Sequence, residues 1–322
     1  MSQVLWNINS VSLHGADRHR LDSVNCSIGT GVTAILGGSG AGKTSLLNLL
    51  AGLESPDAGT INSLFDAAEG GLPFYWAPQG GGLWPHLTLR QHLTQVTKDQ
   101  DLADKLLDDF DLSARQSAFP DELSQGERTR LAVARALAVP ASVLLFDEPL
   151  VHLDGDRKAT GWQCIRNTIR ESGTHLVLTT HEPETVLREA DSVICLEEGR
   201  LIWEGPVRQL YYEPPNAMVG RFLGPLNWFD VDDQNRWLSS NDRTGEASCI
   251  RPEQLQLESS AEPVCEIVAS EFMGSYARTT VREVAGDVTK TIYHRPSEAP
   301  EIGAQVEVCR TVERRTSESL HG

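Results

Sequence analysis

The residues whose spacing carries most chemistry are Gly37-Gly-Ser-Gly-Ala-Gly-Lys-Thr44, followed by Ser45. Gly37, Gly38, Gly40 and Gly42 let the backbone around Ser39 and Ala41 turn its N–H groups inward, which builds a cradle for phosphate oxygens. Lys43 then supplies a cation for the terminal phosphates, and Thr44 a hydroxyl oxygen for Mg²⁺. The pattern G-x-x-x-x-G-K-[ST] therefore predicts binding of a nucleoside triphosphate, taken as ATP, together with Mg²⁺.

Two further sets could complete a reaction. Asp147-Glu148 closes an apolar run, Ala141 to Phe146, about a hundred residues after the loop. Such a pair suits a water-mediated Mg²⁺ partner (Asp147) and a carboxylate that polarises an attacking water (Glu148). His181 ends the next apolar run, His175 to Thr180, at the strand end where ligands gather in open parallel sheets. Leu123-Ser-Gln-Gly-Glu127 precedes the helix-forming stretch Arg128 to Leu137. Ser124 there is an N-cap, and with Gly126 the same helix start can also approach a phosphate.

Positioning these groups requires a layered α/β unit. Val4–Ile8, Val24–Ile28 and Val32–Leu36 read as strands; the last leads into the glycine loop, and Ser45–Leu53 follows as a helix. Residues 87–137 have a helical pattern, with Leu102, Leu106 and Phe110 at intervals of four. Lys158–Glu171 is a helix joining the two buried runs. Beyond Phe222-Leu-Gly-Pro225 the pattern becomes strand-like, with Val264–Ser270, Tyr276–Val284 and Val306–Thr311 as candidate strands. The expected organisation is an α/β domain over 1–224 with a helical subdomain at about 87–137, a small all-β domain over 225–312, and a disordered polar tail over 313–322.

Composition narrows the setting. The chain has 322 residues, 40% hydrophobic and 23% charged, as in a globular protein with a sizeable core. The most apolar stretch, Leu131 to Phe146, is broken by Arg135 and Pro140, so no segment is expected to span a membrane. Met1-Ser-Gln-Val-Leu-Trp6 has neither the basic flank nor the apolar stretch of a signal peptide, and cytoplasmic residence is expected. Six scattered cysteines with no Cys-x-x-Cys pair argue against a zinc site or a disulfide framework. A net charge of −17 disfavours nucleic acid as a partner.

Taken together, these motifs resemble the ATP-binding cassette family, and more closely its importer ATPases. The resemblance runs from about residue 4 to 224. It implies a P-loop cassette fold, with Gln79 of Ala77-Pro-Gln79 touching Mg²⁺ or the attacking water. It also implies that Leu123–Glu127 is the signature motif, Asp154 the D-loop aspartate and His181 the switch histidine. Leu50–Ile61, Leu83-Trp-Pro-His-Leu-Thr-Leu89 and Asp191–Gly205 look like further family segments. Ile250-Arg-Pro-Glu-Gln-Leu-Gln-Leu257 resembles a segment of the small OB-like β-barrel, the TOBE domain, carried by importer ATPases for iron(III), sulfate, molybdate, polyamines or maltose.

The expectations that follow are specific. The resemblance implies an ATPase peripheral to the cytoplasmic face of the inner membrane, working as a homodimer. Ser124 and Gly126 of one copy close over ATP held by Gly37–Ser45 of the other. A membrane permease, and a solute-binding protein in the complete system, are implied partners. An inorganic ion such as iron(III) is the first expectation for the cargo. A soluble non-transport cassette ATPase and a regulatory ligand-binding ATPase are the alternatives. Trp84 is either a permease-coupling residue or a core filler of the helical subdomain. Five residues in three motifs depart from the family pattern. Gln125 and Glu127 alter the signature, and Glu127 is expected to put a negative charge near the nucleotide. Val151-His152 replaces a small polar pair in the D-loop, and His14 stands in for the adenine-stacking aromatic.

Overall fold

The computed structural model describes residues 3–67, 71–260, 263–296 and 301–311. The expected tail, 313–322, lies outside the described residues. The chain divides into two compact units, Met1–Val207 and Arg208–Gly322.

In the first unit a six-stranded sheet has the order Leu72–Ala77, Ala141–Asp147, His175–Thr180, Val32–Leu36, Ser192–Glu197, Arg200–Pro206. The first five strands are parallel, and Arg200–Pro206 pairs antiparallel at the edge. Parallel strands buried on both faces need continuous apolar sequence, and Val143 to Phe146 and Leu176 to Leu178 are all buried. A second, antiparallel sheet has His19–Gly29, Val4–His14 and Ala58–Ser63 in that order. Its strands run further than the short segments expected, through bulges that break the alternating pattern from which a strand is read. Trp6, Ile8, Leu21, Val24 and Ile28 from this sheet share one core with Leu46 and Leu47 of the helix Lys43–Leu50 and with Val143, Leu145 and Val177.

The helices Leu89–Thr94, Gln100–Asp109 and Gln125–Leu137 occupy the region expected to be helical. Leu106 and Phe110 are buried as their spacing requires. The helix Gly155–Ser172 starts at an Asp154 side-chain cap on Arg157 N–H and stops at Gly173 in the left-handed conformation.

In the second unit, antiparallel strands form a five-stranded sheet in the order Leu255–Ser259, Gln305–Arg310, Cys265–Phe272, Ala277–Glu283, Thr289–His294. Asn227–Phe229 and Ser248–Ile250 make a separate ribbon, and the short helix Val231–Trp237 follows the first of these. Phe229, Trp237, Ile250, Leu255, Ile267, Val281, Ile292 and Val308 close the core. The division falls at 207/208, ahead of the junction expected at 224/225. One reason is Arg251, whose guanidinium holds the carbonyls of Tyr211, Gly220, Gly224 and Pro225 within this unit.

Candidate active site

The parallel sheet sets the site by bringing strand ends level. Leu36 pairs with Thr180, Asp147 with Thr179, and Phe146 with Ala77. Gly37, Glu148, His181 and Gln79 each lie one or two residues past those pairs, so all four emerge at the carboxyl edge.

The loop from Gly37 to Gly42 has no room for side chains at its ends. A Cβ on Gly42 would sit 2.5 Å from the Arg20 carbonyl, and one on Gly37 would collide with the Leu196 carbonyl and the Ala41 methyl. Gly42 also has φ of 100°, open to glycine at no steric cost. The turn at Gly199 supports the loop from below: its N–H donates to Ala41 O at 3.1 Å, and its carbonyl accepts from Asp22 N–H at 2.8 Å. The helix Lys43–Leu50 starts straight from the loop, which leaves its first N–H groups without intrahelical acceptors. Lys43 is buried, and its Nζ donates to the carbonyls of Gly37 at 2.9 Å and Gly38 at 3.0 Å.

Glu148 is the hub of the opposite side. Its Oε2 accepts from Gln79 Nε2 at 3.2 Å, its Oε1 lies 3.1 Å from His181 Nδ1, and Lys43 Nζ is 3.8 Å from the same oxygen. Both Glu148, at φ 49°, and Leu150, at φ 66°, have left-handed backbone. For non-glycine residues this conformation costs on the order of 1–3 kcal/mol, and such strain gathers at functional turns. Leu150 is fully buried against Gly161, where a Cβ would come within 2.9 Å of both its methyls, so packing holds the turn.

Asp147 is buried, and its Oδ1 accepts from Thr44 Oγ1 at 3.2 Å and from Thr179 Oγ1 at 2.6 Å. Thr179 also accepts Glu148 N–H at 3.0 Å, so one hydroxyl orients both carboxylate residues. The sequence assigns Thr179 no role; its only signal is that it opens the threonine pair closing the apolar run Leu176 to Leu178. Thr179→Val is expected to cost about 1–3 kcal/mol of stability, because it leaves a buried carboxylate oxygen and an amide short of partners. Urea unfolding measures this, and an unchanged midpoint would mean that Asp147 keeps its place without the hydroxyl.

Hydroxyl and carboxylate oxygens are the hard donors Mg²⁺ takes, and Thr44 with Asp147 offers one of each. Among the described residues there is no group of three or more His, Cys, Asp or Glu able to hold a metal by themselves.

The remaining candidates make their contacts elsewhere. Ser124 caps the helix Gln125–Leu137: its Oγ accepts Glu127 N–H at 3.3 Å, and its own N–H and hydroxyl donate to Glu127 Oε2 at 2.8 and 2.7 Å. Those two bonds from Ser124 hold the Glu127 carboxyl below the usual range. The added negative charge is thus folded back into a capping box rather than left free. Gly126 lies against Leu153 and the His152 carbonyl. His14 is tied to Asp57 Oδ2 through its backbone N–H at 2.6 Å and its ring Nδ1 at 2.9 Å, and its ring faces His19 at 4.3 Å between centroids. Trp84 is half-buried; its ring stacks on His92 at 5.5 Å and carries the Arg135 guanidinium at 4.6 Å. Arg135 also grips the Gly81 and Gly82 carbonyls, so Trp84 is at least a packing residue of the helical region.

Known proteins resemble both units. Residues 21–151 match the ABC transporter family model, and residues 248–314 match the TOBE domain model. An Fe(3+) ions import ATP-binding protein of Pseudomonas fluorescens is 32% identical over 297 residues, which span 83% of this chain and 81% of that protein. A sulfate/thiosulfate import ATP-binding protein of Shewanella oneidensis is 35% identical over 243 residues, 69% of this chain and 68% of that one. A solved ATP-binding subunit of an ABC transporter shares the fold at a TM-score of 0.56 and 23% identity, over 64% of this chain and 91% of that one. A dimeric post-hydrolysis ATP-binding cassette with ADP and Pi shares it at 0.55 and 24%, over 63% and 99%. With this match across both units, the chain belongs to the ATP-binding cassette transporter family and is one of its importer-type ATPases.

Proposed function

We propose that the chain is the ATP-hydrolysing subunit of an importer for an inorganic ion, and that two copies enclose two ATP molecules between them. The observation that carries the catalytic part is the Glu148 carboxylate, held by Gln79 and His181 within 3.8 Å of Lys43.

In this reading Lys43 moves from the Gly37 and Gly38 carbonyls to the β- and γ-phosphates, and the loop amides bind the oxygens around it. Bound Mg²⁺ would draw charge off the phosphate oxygens, with Thr44 and Asp147 among its holders. Glu148 accepts the proton of the attacking water, while Gln79 and His181 fix the direction of its carboxylate and then meet the γ-phosphate. Ser124 and Gly126 of the second copy complete the site, and His14 lies beside the base. A two-fold pair gives two equivalent sites.

Iron(III) is the first cargo to test, because several relatives named for Fe(3+) import align over more than four-fifths of this chain; the sulfate importer names give the second. A permease reached through the Gln79–Trp84 region would read the closure, with a solute-binding protein delivering the ion. Trp84→Ala is expected to keep basal ATPase within about twofold, because Arg135 retains its two carbonyl bonds. Uptake by the assembled transporter is expected to fall severalfold. Parallel loss of ATPase and uptake would remove the coupling role. The proposal as a whole is tested by pulling down the permease from detergent-solubilised membranes, then measuring uptake of iron(III) and sulfate. Failure to recover a membrane partner, or ATP-independent uptake, would overturn it.

A further inference from the structure

The hairpin turn before the glycine loop holds a cation that the catalytic reading leaves unused. Gly15 N–H donates to Arg18 O at 2.8 Å, which closes the turn between His14 and His19. The turn sends Arg18 out over the glycine loop. A Cβ built on Gly40 would lie 2.8 Å from Arg18 Nη2, and nothing but the Arg18 guanidinium comes within 4 Å of it. A Cβ on Gly38 would meet nothing within 4 Å. The loop is thus open at Gly38 and covered at Gly40 by a guanidinium alone.

That guanidinium has no other employment. Among the described residues it makes no hydrogen bond and no ion pair, whereas its neighbour Arg20 is committed to Glu54. Arg18 is exposed, so it braces no core. An unpaired guanidinium resting against a glycine loop of this pattern is a ready polyphosphate ligand, since its planar fork matches two phosphate oxygens at once. The placement also suits the rest of a nucleotide. The His14–His19 ring pair stands at the foot of the same turn, with centroids 4.3 Å apart and planes at 44°.

We propose that Arg18 is a second cationic ligand of the nucleotide's polyphosphate, acting across Gly40 in addition to Lys43. It rests on the reading that Gly37–Ser45 binds ATP. In a chain of net charge −17, a cation at the mouth of the site also offsets repulsion of an incoming anion. The interaction is charge-assisted and solvent-exposed, so its contribution should shrink as salt is raised.

The test is calorimetric titration of the full chain with Mg-ATP, Mg-ADP and adenosine at low and high salt, for wild type, Arg18→Gln, Arg18→Lys and Lys43→Ala. Arg18→Gln is expected to weaken ATP and ADP about tenfold at low salt while leaving adenosine within twofold. Arg18→Lys should recover part of the loss, because a point charge replaces the fork. An Arg18→Gln chain that binds ATP within twofold of wild type, while Lys43→Ala loses it, would overturn the role of Arg18 and leave the loop assignment standing. Equal weakening of adenosine and ATP would assign Arg18 to the shape of the turn rather than to phosphate, and would also overturn it. A wild-type chain that binds no ATP would overturn the parent reading itself.

Discussion

Glu148→Gln is expected to lower ATP hydrolysis by roughly 10²- to 10³-fold while ATP binding persists. Glutamine keeps the length of the side chain and its left-handed backbone at φ 49° costs no more than before. Its carbonyl oxygen can still accept from Gln79, and its amide can face the His181 ring in the appropriate tautomer. What is lost is the proton acceptor. The anion 3.8 Å from Lys43 also goes, which removes repulsion from the γ-phosphate and favours retention of ATP. The variant should therefore accumulate as an ATP-bound dimer, visible by light scattering, while phosphate release measures the lost turnover. Hydrolysis at the wild-type rate would dismiss Glu148 as the base; a slow variant that stays monomeric with ATP would keep the base and reject closure.

The largest stability effect is expected at Arg251. Its side chain is completely buried, and burial with no carboxylate in direct contact pushes its pKa down from the ordinary arginine value. Carbonyl oxygens hold the charge instead. Nε donates to Tyr211 O at 2.8 Å, Nη1 to Gly224 O and Pro225 O at 3.1 Å each, and Nη2 to Gly220 O at 3.0 Å. The Tyr211 ring covers the guanidinium at 4.1 Å. Several of these carbonyls belong to the ends of the short helical turns at Ala217–Gly220 and Arg221–Leu223, where helix geometry leaves oxygens without donors. Arg251→Met fills a similar volume but takes the donor from four carbonyls, one buried and three half-buried. The second unit should lose about 3–5 kcal/mol, within the range for breaking a buried charged network. Denaturant unfolding followed by amide hydrogen exchange of the strands in this unit measures the loss. Arg251→Lys should recover little, because one ammonium cannot span four carbonyls spread over residues 211–225. A loss below about 1 kcal/mol would show that the carbonyls find other donors.

The two variants differ in how far the sequence already pointed to them. Glu148 was legible because its strand, its distance from the glycine loop and the histidine after the next strand are all properties of the linear chain. The glycine loop was legible for the same reason. Its glycines, lysine and threonine lie within eight positions of one another, and a strand and a helix must flank it. The apolar runs fixed the parallel strands, since strands buried on both faces tolerate little else. The segment Ile250–Leu257 was recognised, but its arginine's task was not, because the carbonyls it holds lie 26 to 40 residues earlier.

Where a side chain has a choice of partners, the fold adds what residue identity leaves open. Glu127, expected to put a charge near the nucleotide, is turned by the helix start onto Ser124. His14, expected to stack on the adenine, is held by Asp57 and paired with His19. Thr179 carried little readable signal and Arg18 none, since what matters at each is what stands opposite: Asp147 across a strand pairing, and Gly40 beside the hairpin turn. The sequence by itself determined the glycine loop, the order of the candidate carboxylates along the chain and the change to β-structure in the second unit, because local backbone geometry and burial periodicity encode those. Only the tertiary structure decided which groups share the Glu148 hub, which cation covers the loop and where one unit gives way to the next. Those depend on contacts between residues far apart in the chain, and only packing selects them.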